Sequence, residues 1–346
     1  MKRKFRSIAI LLIIALTAGI QVFAEEVSKE YHESWSAADV QKLEISNKFG
    51  EVKVKNNESG EVTIDVIITV EAPNQSKANE LLGQLNVSIK KSGKIVKAET
   101  LIDSDFKSRD DFSIDYDISV PSDKDLDIYN KYGNTIVNVL NANGKFDIKY
   151  GNFTANELNT PAGGSMLANI EYGKGDISLS NSLTVTARYS TINFDESGDI
   201  VMDSKYTVVN IGTAESVKAE AKYDTFNFDE VGALSADTKY CSIKIDKLFE
   251  SLKLDAAYGG LRVGEVDPGF SLIEVTNSYG GISVGLGDNS YSVEADCDHC
   301  GISYPGDDFE GDYKKDGRNA RLEGKVGTGE GGNVIIKSRY GQIKLN

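Results

Sequence analysis

Residues 234–263 read LSADTKYCSIKIDKLFESLKLDAAYGGLRV. With Tyr240 as position zero, Leu234 and Ala236 fall at −6 and −4, Thr238 at −2, and Ile243 and Ile245 at +3 and +5. Around Tyr258 the same places hold Leu252, Leu254, Ala256, Leu261 and Val263. Alternation with a period of two marks half-buried strands, because successive side chains of a strand point to opposite faces. Between Tyr and +3 the phase slips by one residue, often over Gly. The chain must bend there, and a second strand renews the inward set. Each unit therefore reads strand, corner, strand, turn.

Working outward, the corner recurs at Tyr132, Tyr150, Tyr172, Tyr189, Tyr206, Tyr223, Tyr240, Tyr258, Tyr279 and Tyr340, at intervals of 18, 22, 17, 17, 17, 17, 18 and 21 residues before one long gap. A unit this short cannot close a core alone and must stack on its neighbours. The fold class predicted is all-β: a single-stranded parallel β-helix, or β-solenoid, with coils of about 17–22 residues and rungs ~4.8 Å apart. The long gap is filled by Val293, Ala295, Cys297, His299, Ile302 and Tyr304, which fit the template with His299 in the Tyr slot. The last unit, Val334 to Leu345, runs to the end of the chain, and Asp307 to about Gly332 is left as a charged, Gly-rich insertion. One unit, Leu43 to Val54 with Phe49-Gly50 as its corner, stands apart at the front. Between it and Leu126 lies a different pattern, with strands near 62–70, 85–89, 95–100 and 112–120 and a short helix near 76–82. The expected organisation is a first coil and β-rich N-terminal cap over 25–125, containing one short helix, then solenoid repeats over 126–346 interrupted near 305–332. A cap is needed because an open solenoid end is an exposed strand edge.

The residue before each Tyr is often cationic (Lys131, Lys149, Arg188, Lys205, Lys222, Lys239, Arg339), and the residue two earlier is often acidic (Asp147, Asp203, Glu220, Asp237, Asp255). Stacking turns these into parallel charged stripes, read as a solvated sheet face. Asn193, Asn210 and Asn227 share position +4 and are expected to form an amide ladder. The Tyr column, with His299, reads as a structural aromatic ladder whose parity places it inward. The competing reading is a sugar-binding strip, since aromatic faces suit the apolar faces of carbohydrates. Trp35 is expected to pack the N-terminal end.

At the start of the chain, Lys2, Arg3, Lys4 and Arg6 precede an apolar run from Ile8 to about Ile20, and Val22-Phe23-Ala24 offers small residues for processing. This is the pattern of a secretory signal peptide over 1–24, with cleavage expected after Ala24. No later stretch is apolar enough to span a bilayer, and no cysteine near the site suggests a lipid anchor. Removing the signal leaves 34 Lys and Arg against 53 Asp and Glu, a charge of −19. So acidic a chain disfavours nucleic acid as a partner. Scattered acids without an EF-hand or RTX motif give no calcium site, and no cofactor or metal is expected. Cys297 and Cys300 form a C-x-x-C pair. In an exported protein the readings are a structural disulfide or inert thiols, a metal site, or redox chemistry. The last two lack further ligands and a βαβ context respectively.

The opening KLEISNKFGEVKV (42–54), the passage YDISVPSDKDLDIYNKYGNTIV (116–137) and the recurrent Tyr-Gly units resemble the putative-adhesin β-solenoid proteins, relatives of the so-called head GIN domains common in envelopes of Bacteroidetes. The resemblance spans most of the mature chain. It implies a right-handed β-helix-like fold and an exported protein of adhesin type, and it carries over no functional residues.

Three functions from different classes remain in view. The first is a non-catalytic envelope binding module that presents its long faces to a glycan, protein or envelope polymer. The second is a structural or signalling partner that self-associates. The third is a polysaccharide lyase or hydrolase, which needs convergent acids, or a base with a neutralising cation. His32 lies in an N-terminal stretch read as flexible, His299 lies in the ladder, and the acids alternate with Lys in rows, so no catalytic set is visible. The expected location is the periplasm, the outer membrane or the cell surface. The candidate ligand-binding residues are Asp307, Asp308, Glu310, Asp312 and Arg318 on the insertion, because insertions on solenoids map to loops and loops carry binding.

Overall fold

The computed structural model describes residues 25–306 and 308–346. The signal-peptide reading and Asp307 thus lie outside the described residues. Between corners the chain runs as long strands, Lys174–Arg188, Thr191–Lys205, Val208–Lys222, Thr225–Lys239 and Ser242–Ala257. They pair parallel and in register, Ile192 with Val209 with Phe226 and so on to Lys205 with Lys222 with Lys239. In one such coil Ile192, Phe194, Ser197, Ile200, Met202 and Ser204 are buried, while Asp195 and Glu196 break the alternation on the outside. That break is a second bend. A Cβ added to Gly198 there would meet the Asn181 carbonyl oxygen at 2.2 Å, so successive coils approach closely. Burying alternate Ile, Val, Leu and Phe from every rung gives one core running the length of the stack, each side chain contributing about 1.5–3 kcal/mol.

At the N-terminal end the first coil (Lys42–Lys48, Val52–Asn56) pairs parallel with Asp125–Lys131 and Thr135–Leu140 on one side. On its other side it pairs parallel with Ile95–Ile102 and Phe112–Val120. Those two strands then take antiparallel neighbours: Leu85–Ser92 on the first, Glu61–Ala72 on the second, and Glu25–Ser36 on Glu61–Ala72. His32 therefore sits in a paired strand opposite Asp65, not in a flexible stretch. The short helix Gln75–Leu82 starts where the Asn74 side chain accepts from the Lys77 amide, and it buries Ala78 and Leu81. Trp35 packs against the core.

At the far end the order of coils departs from the order of the chain: the strand Gly332–Arg339 lies between Leu272–Ser278 and Tyr291–Asp298, parallel to both. The insertion is not a loop. Phe309–Asp316 and Asn319–Val326 form a hairpin whose second strand pairs antiparallel with Tyr291–Asp298. It buries Ala320, Leu322 and Val326, so it closes this end as the antiparallel strands close the other.

Candidate functional site: a tyrosine edge beside rows of charge

All twelve corner residues (Phe49, the ten tyrosines and His299) have φ between 51° and 64°. This is the left-handed region, which costs an L-residue roughly 1–2 kcal/mol. The left-handed corner is the cause of the phase slip. Position −2 faces inward, the corner residue turns out, and +1 faces inward again. The tyrosines are accordingly 41–51% exposed, which corrects the inward placement expected from parity. At +1 six of the ten tyrosines are followed by Gly (Gly133, Gly151, Gly173, Gly259, Gly280, Gly341). A Cβ on Gly280 would meet the Gly259 carbonyl oxygen at 1.7 Å.

The rings stack from Phe49 through Tyr132 to Tyr340, with centroids 4.8–5.1 Å apart and interplanar angles of 2–21°. Phe112 continues the column at one end and His299 at the other, both tilted. Each inner ring has neighbours on both faces. What the edge offers a partner is therefore ring edges and phenol hydroxyls, and a sugar-binding strip that needs open aromatic faces is not formed here. The cationic row runs beside the rings, with Lys131 over Tyr132, Lys205 over Tyr206 and Arg339 over Tyr340 at 4.6–5.3 Å. Arg188 pairs with Asp203 at 2.8 Å and Lys149 with Glu171 at 3.1 Å. Among the described residues Lys205, Lys222 and Lys239, on three consecutive rungs, make no ion pair, and they line one shallow groove with Asp203, Glu220 and Asp237. The amide ladder is present: Asn227 donates to Asn210 at 2.9 Å, Asn210 to Asn193 at 2.8 Å, and Asn193 to Asp176 at 2.7 Å.

Inside the corner, buried polar side chains serve the backbone. Asn277 donates from its amide to the Gly259 and Gly280 carbonyls at 2.8 and 2.9 Å, and Asn130 does the same for Gly50 and Asn134 at 3.1 and 2.9 Å. In the middle coils Ser190, Thr207, Asp224 and Cys241 replace Gly at +1 and point inward. This buried column escaped the sequence reading, although its signal, four non-glycine residues where the other six tyrosines carry Gly, is visible in the chain. The Asp224 carboxylate accepts from the Thr207 amide at 2.6 Å and the Ser204 hydroxyl at 2.8 Å, and the Asp224 amide donates to Cys241 Sγ at 3.4 Å. Burial pushes the Asp224 carboxyl up against these hydrogen bonds, and burial likewise raises the Cys241 thiol. Cys241 is thus a structural thiol. In the terminal coil Cys297 at −2 and Cys300 at +1 are disulfide-bonded across the His299 corner, Cα atoms 5.3 Å apart. The bridge takes the place that the Asn277 hydrogen bonds occupy two rungs away.

The candidate residues of the insertion do not converge. Glu310 pairs with Lys325 at 3.0 Å, Asp312 lies 3.9 Å from Lys314, and Asp308 offers its carbonyl to the Gly327 amide. Arg318 sits at the exposed hairpin tip. These charges line an edge strand, where they discourage pairing with another sheet. His299 Nδ1 lies 2.7 Å from Asp298, which Arg339 also meets at 3.3 Å. Among the described residues no cluster of three His, Cys, Asp or Glu is arranged to hold a metal, and no helix is long and apolar enough to cross a membrane.

The molecule is thus a capped β-solenoid with an aromatic edge. No protein-family model and no curated protein matches it. Among solved structures it is similar to a putative adhesin from Parabacteroides merdae, at 13% identity over 73% of this chain and 95% of that one, with a TM-score of 0.35. It is also similar to a putative adhesin from Bacteroides fragilis, at 11% identity over 92% and 97% with a TM-score of 0.30. A putative cell adhesion protein from Clostridium sporogenes matches at 12% identity over 92% and 99%, with a TM-score of 0.21. These are likenesses of the kind the sequence resemblance anticipates, and no ligand or activity passes from them to this chain.

Proposed function

We propose that this is a non-catalytic, exported cell-envelope protein that acts as a binding module, holding a glycan, protein or envelope polymer along its tyrosine edge. The observation that supports this reading most is the continuity of that edge: ten stacked steps, roughly 50 Å at the usual rung spacing, flanked by Lys205, Lys222 and Lys239 without ion pairs. An extended regular edge suits an extended partner, whereas the grooves on the strand faces are shallow and enclose nothing. Because the ring faces are occupied, recognition rests on phenol hydroxyls, one per rung, joined by ammonium donors on the three consecutive rungs of Lys205, Lys222 and Lys239.

The test is a glycan-array and envelope pull-down screen with the chain from Glu25. Two variants run beside it: Lys205, Lys222 and Lys239 all changed to Gln, and Glu310→Gln with Asp312→Asn on the hairpin. Binding lost in the lysine variant and kept in the hairpin variant supports the edge. The reverse moves the site to the hairpin, and absence of binding by the unaltered chain overturns the reading.

A further inference from the structure

At the far end the order of coils departs from the order of the chain in a way that leaves a gap to be filled. Leu272–Ser278 and Tyr291–Asp298 both precede Gly332–Arg339 in sequence, yet this strand lies between them, from Leu272 opposite Asn333 to Ser278 opposite Arg339 on one side and from Tyr291 opposite Gly332 to Asp298 opposite Arg339 on the other. Ile343–Leu345 lies in the same way between Ile282–Val284 and Ile302–Ser303. Tyr340 is stacked between Tyr279 and His299, 5.0 and 4.9 Å away. At the N-terminal end the coil held between two others is the first one made, and its neighbours are laid on it. Here both walls are made first, and the filling comes last.

Without the segment, Leu272–Ser278 and Tyr291–Asp298 would each present an edge of unpaired backbone donors and acceptors, because 332–339 is the one rung that pairs with both. Those groups are costly to bury unpaired and form a template for a strand. The guest must run parallel to both walls and bury apolar side chains where Val334, Ile336, Ile343 and Leu345 are at most 2% exposed. It must also turn left-handed at one aromatic residue and carry glycine next, since a Cβ on Gly341 would meet the Gly280 carbonyl oxygen at 2.0 Å. Segment 332–345 meets all these demands, and every copy of the chain carries one. It is tethered through Gly327–Gly331, an exposed run with three glycines of which Gly327 and Gly329 are left-handed, and no disulfide ties it to either wall.

We propose that this slot is a strand-exchange site that accepts segment 332–345 from a second copy of the chain, linking copies through a shared rung. Every contact broken in the closed monomer is remade between copies, so the balance is set by concentration and by the glycine tether. Reciprocal exchange gives a dimer and one-way exchange an open chain. The proposal is independent of which partner the tyrosine edge binds.

The test uses the outward pair Thr276 and Lys337, which face each other across adjacent rungs. One copy carries Thr276→Cys and a differently tagged copy carries Lys337→Cys. Both are unfolded, mixed, refolded over a range of concentrations and oxidised, and bridges are mapped by mass spectrometry. The expected result is a covalent heterodimer joined from position 276 to position 337, its share rising about in proportion to concentration while it is the minor form. Refolded at low concentration, the double variant in one chain closes the bridge internally and stays monomeric, and at high concentration it gains a bridged dimer. If the double variant closes its bridge but the mixed single variants give no 276-to-337 dimer at any concentration, exchange is refuted.

Discussion

Replacing one ladder tyrosine by alanine and by glycine separates the stack from the corner it stands on. Tyr223 has φ 62° and lies 4.8 Å from Tyr206 and 4.9 Å from Tyr240. Removing its ring loses two stacked pairs, each worth about 0.5–1.5 kcal/mol. It also loses about half of the ring's burial, on the order of 100 Å², or about 2.5 kcal/mol. Tyr223→Ala keeps a side chain in the left-handed region and should cost roughly 3.5–5.5 kcal/mol. Tyr223→Gly loses the same contacts but sheds the left-handed penalty, so it should be more stable than the alanine variant by about 1 kcal/mol. Within an ordinary strand the order is the opposite, glycine being the worse by about 0.5–1 kcal/mol. Guanidinium unfolding midpoints, with hydrogen exchange over 206–240 to localise the loss, read the difference. An alanine variant equal to or more stable than the glycine variant would refute the left-handed corner as the origin of the phase slip.

Gly280→Ala should destabilise by about 2–4 kcal/mol through its clash with the Gly259 carbonyl, visible as loss of folded yield or a lowered midpoint. Asp224 has a folded pKa raised by burial, so ionisation opposes folding: its penalty is absent below the unfolded carboxyl pKa and grows as pH rises through the folded one. Asp224→Asn, which can still accept from the Thr207 amide and can donate to the Ser204 hydroxyl, should therefore match or exceed the parent at pH 7–8, and its advantage should vanish near pH 3; an advantage that grows in acid would contradict this. Reducing the Cys297–Cys300 bridge should cost the terminal coil about 2 kcal/mol, the loop being short, and should raise hydrogen exchange in 291–303 while leaving 174–257 unchanged.

The register of the coils was open to reading because burial imprints a period of two. Leu234, Ala236, Ile243 and Ile245 are buried where their spacing placed them. The outward turn of the tyrosines was not, because parity alone carries position zero inward. Only a residue-by-residue look at +1, with Gly in some coils and inward Ser, Thr, Asp and Cys in others, locates the slip. The position of 332–345 was hidden for another reason: identical patterns say which side chains face the core but not which rung is the neighbour. The hairpin reads as a loop in the sequence because Phe309–Asp316, an edge strand, is exposed along nearly its whole length and shows no alternation. Its partner's Ala320, Leu322 and Val326 carried the weaker signal. None of the insertion's charges is drawn into a common site, since charge on an edge strand serves solubility and pairing control as well as it would serve a ligand.

Stacking explains why the corners are aromatic but not why ten of the twelve are tyrosine. Phe49 occupies the same left-handed corner at φ 64° and stacks on Tyr132 at 5.0 Å, so a phenyl ring satisfies the slot. The hydroxyls point to the exposed side, where they either keep a long aromatic edge wet or contact a partner. Changing Tyr189, Tyr206 and Tyr223 together to Phe distinguishes the two, because the stack and the corners are preserved and the unfolding midpoint should stay within about 0.5 kcal/mol of the parent. If the hydroxyls only solubilise, the variant binds as the parent does but aggregates at lower concentration. If they recognise a ligand, binding falls at unchanged stability, and the tyrosine edge is then a recognition surface whose rigidity the stack supplies.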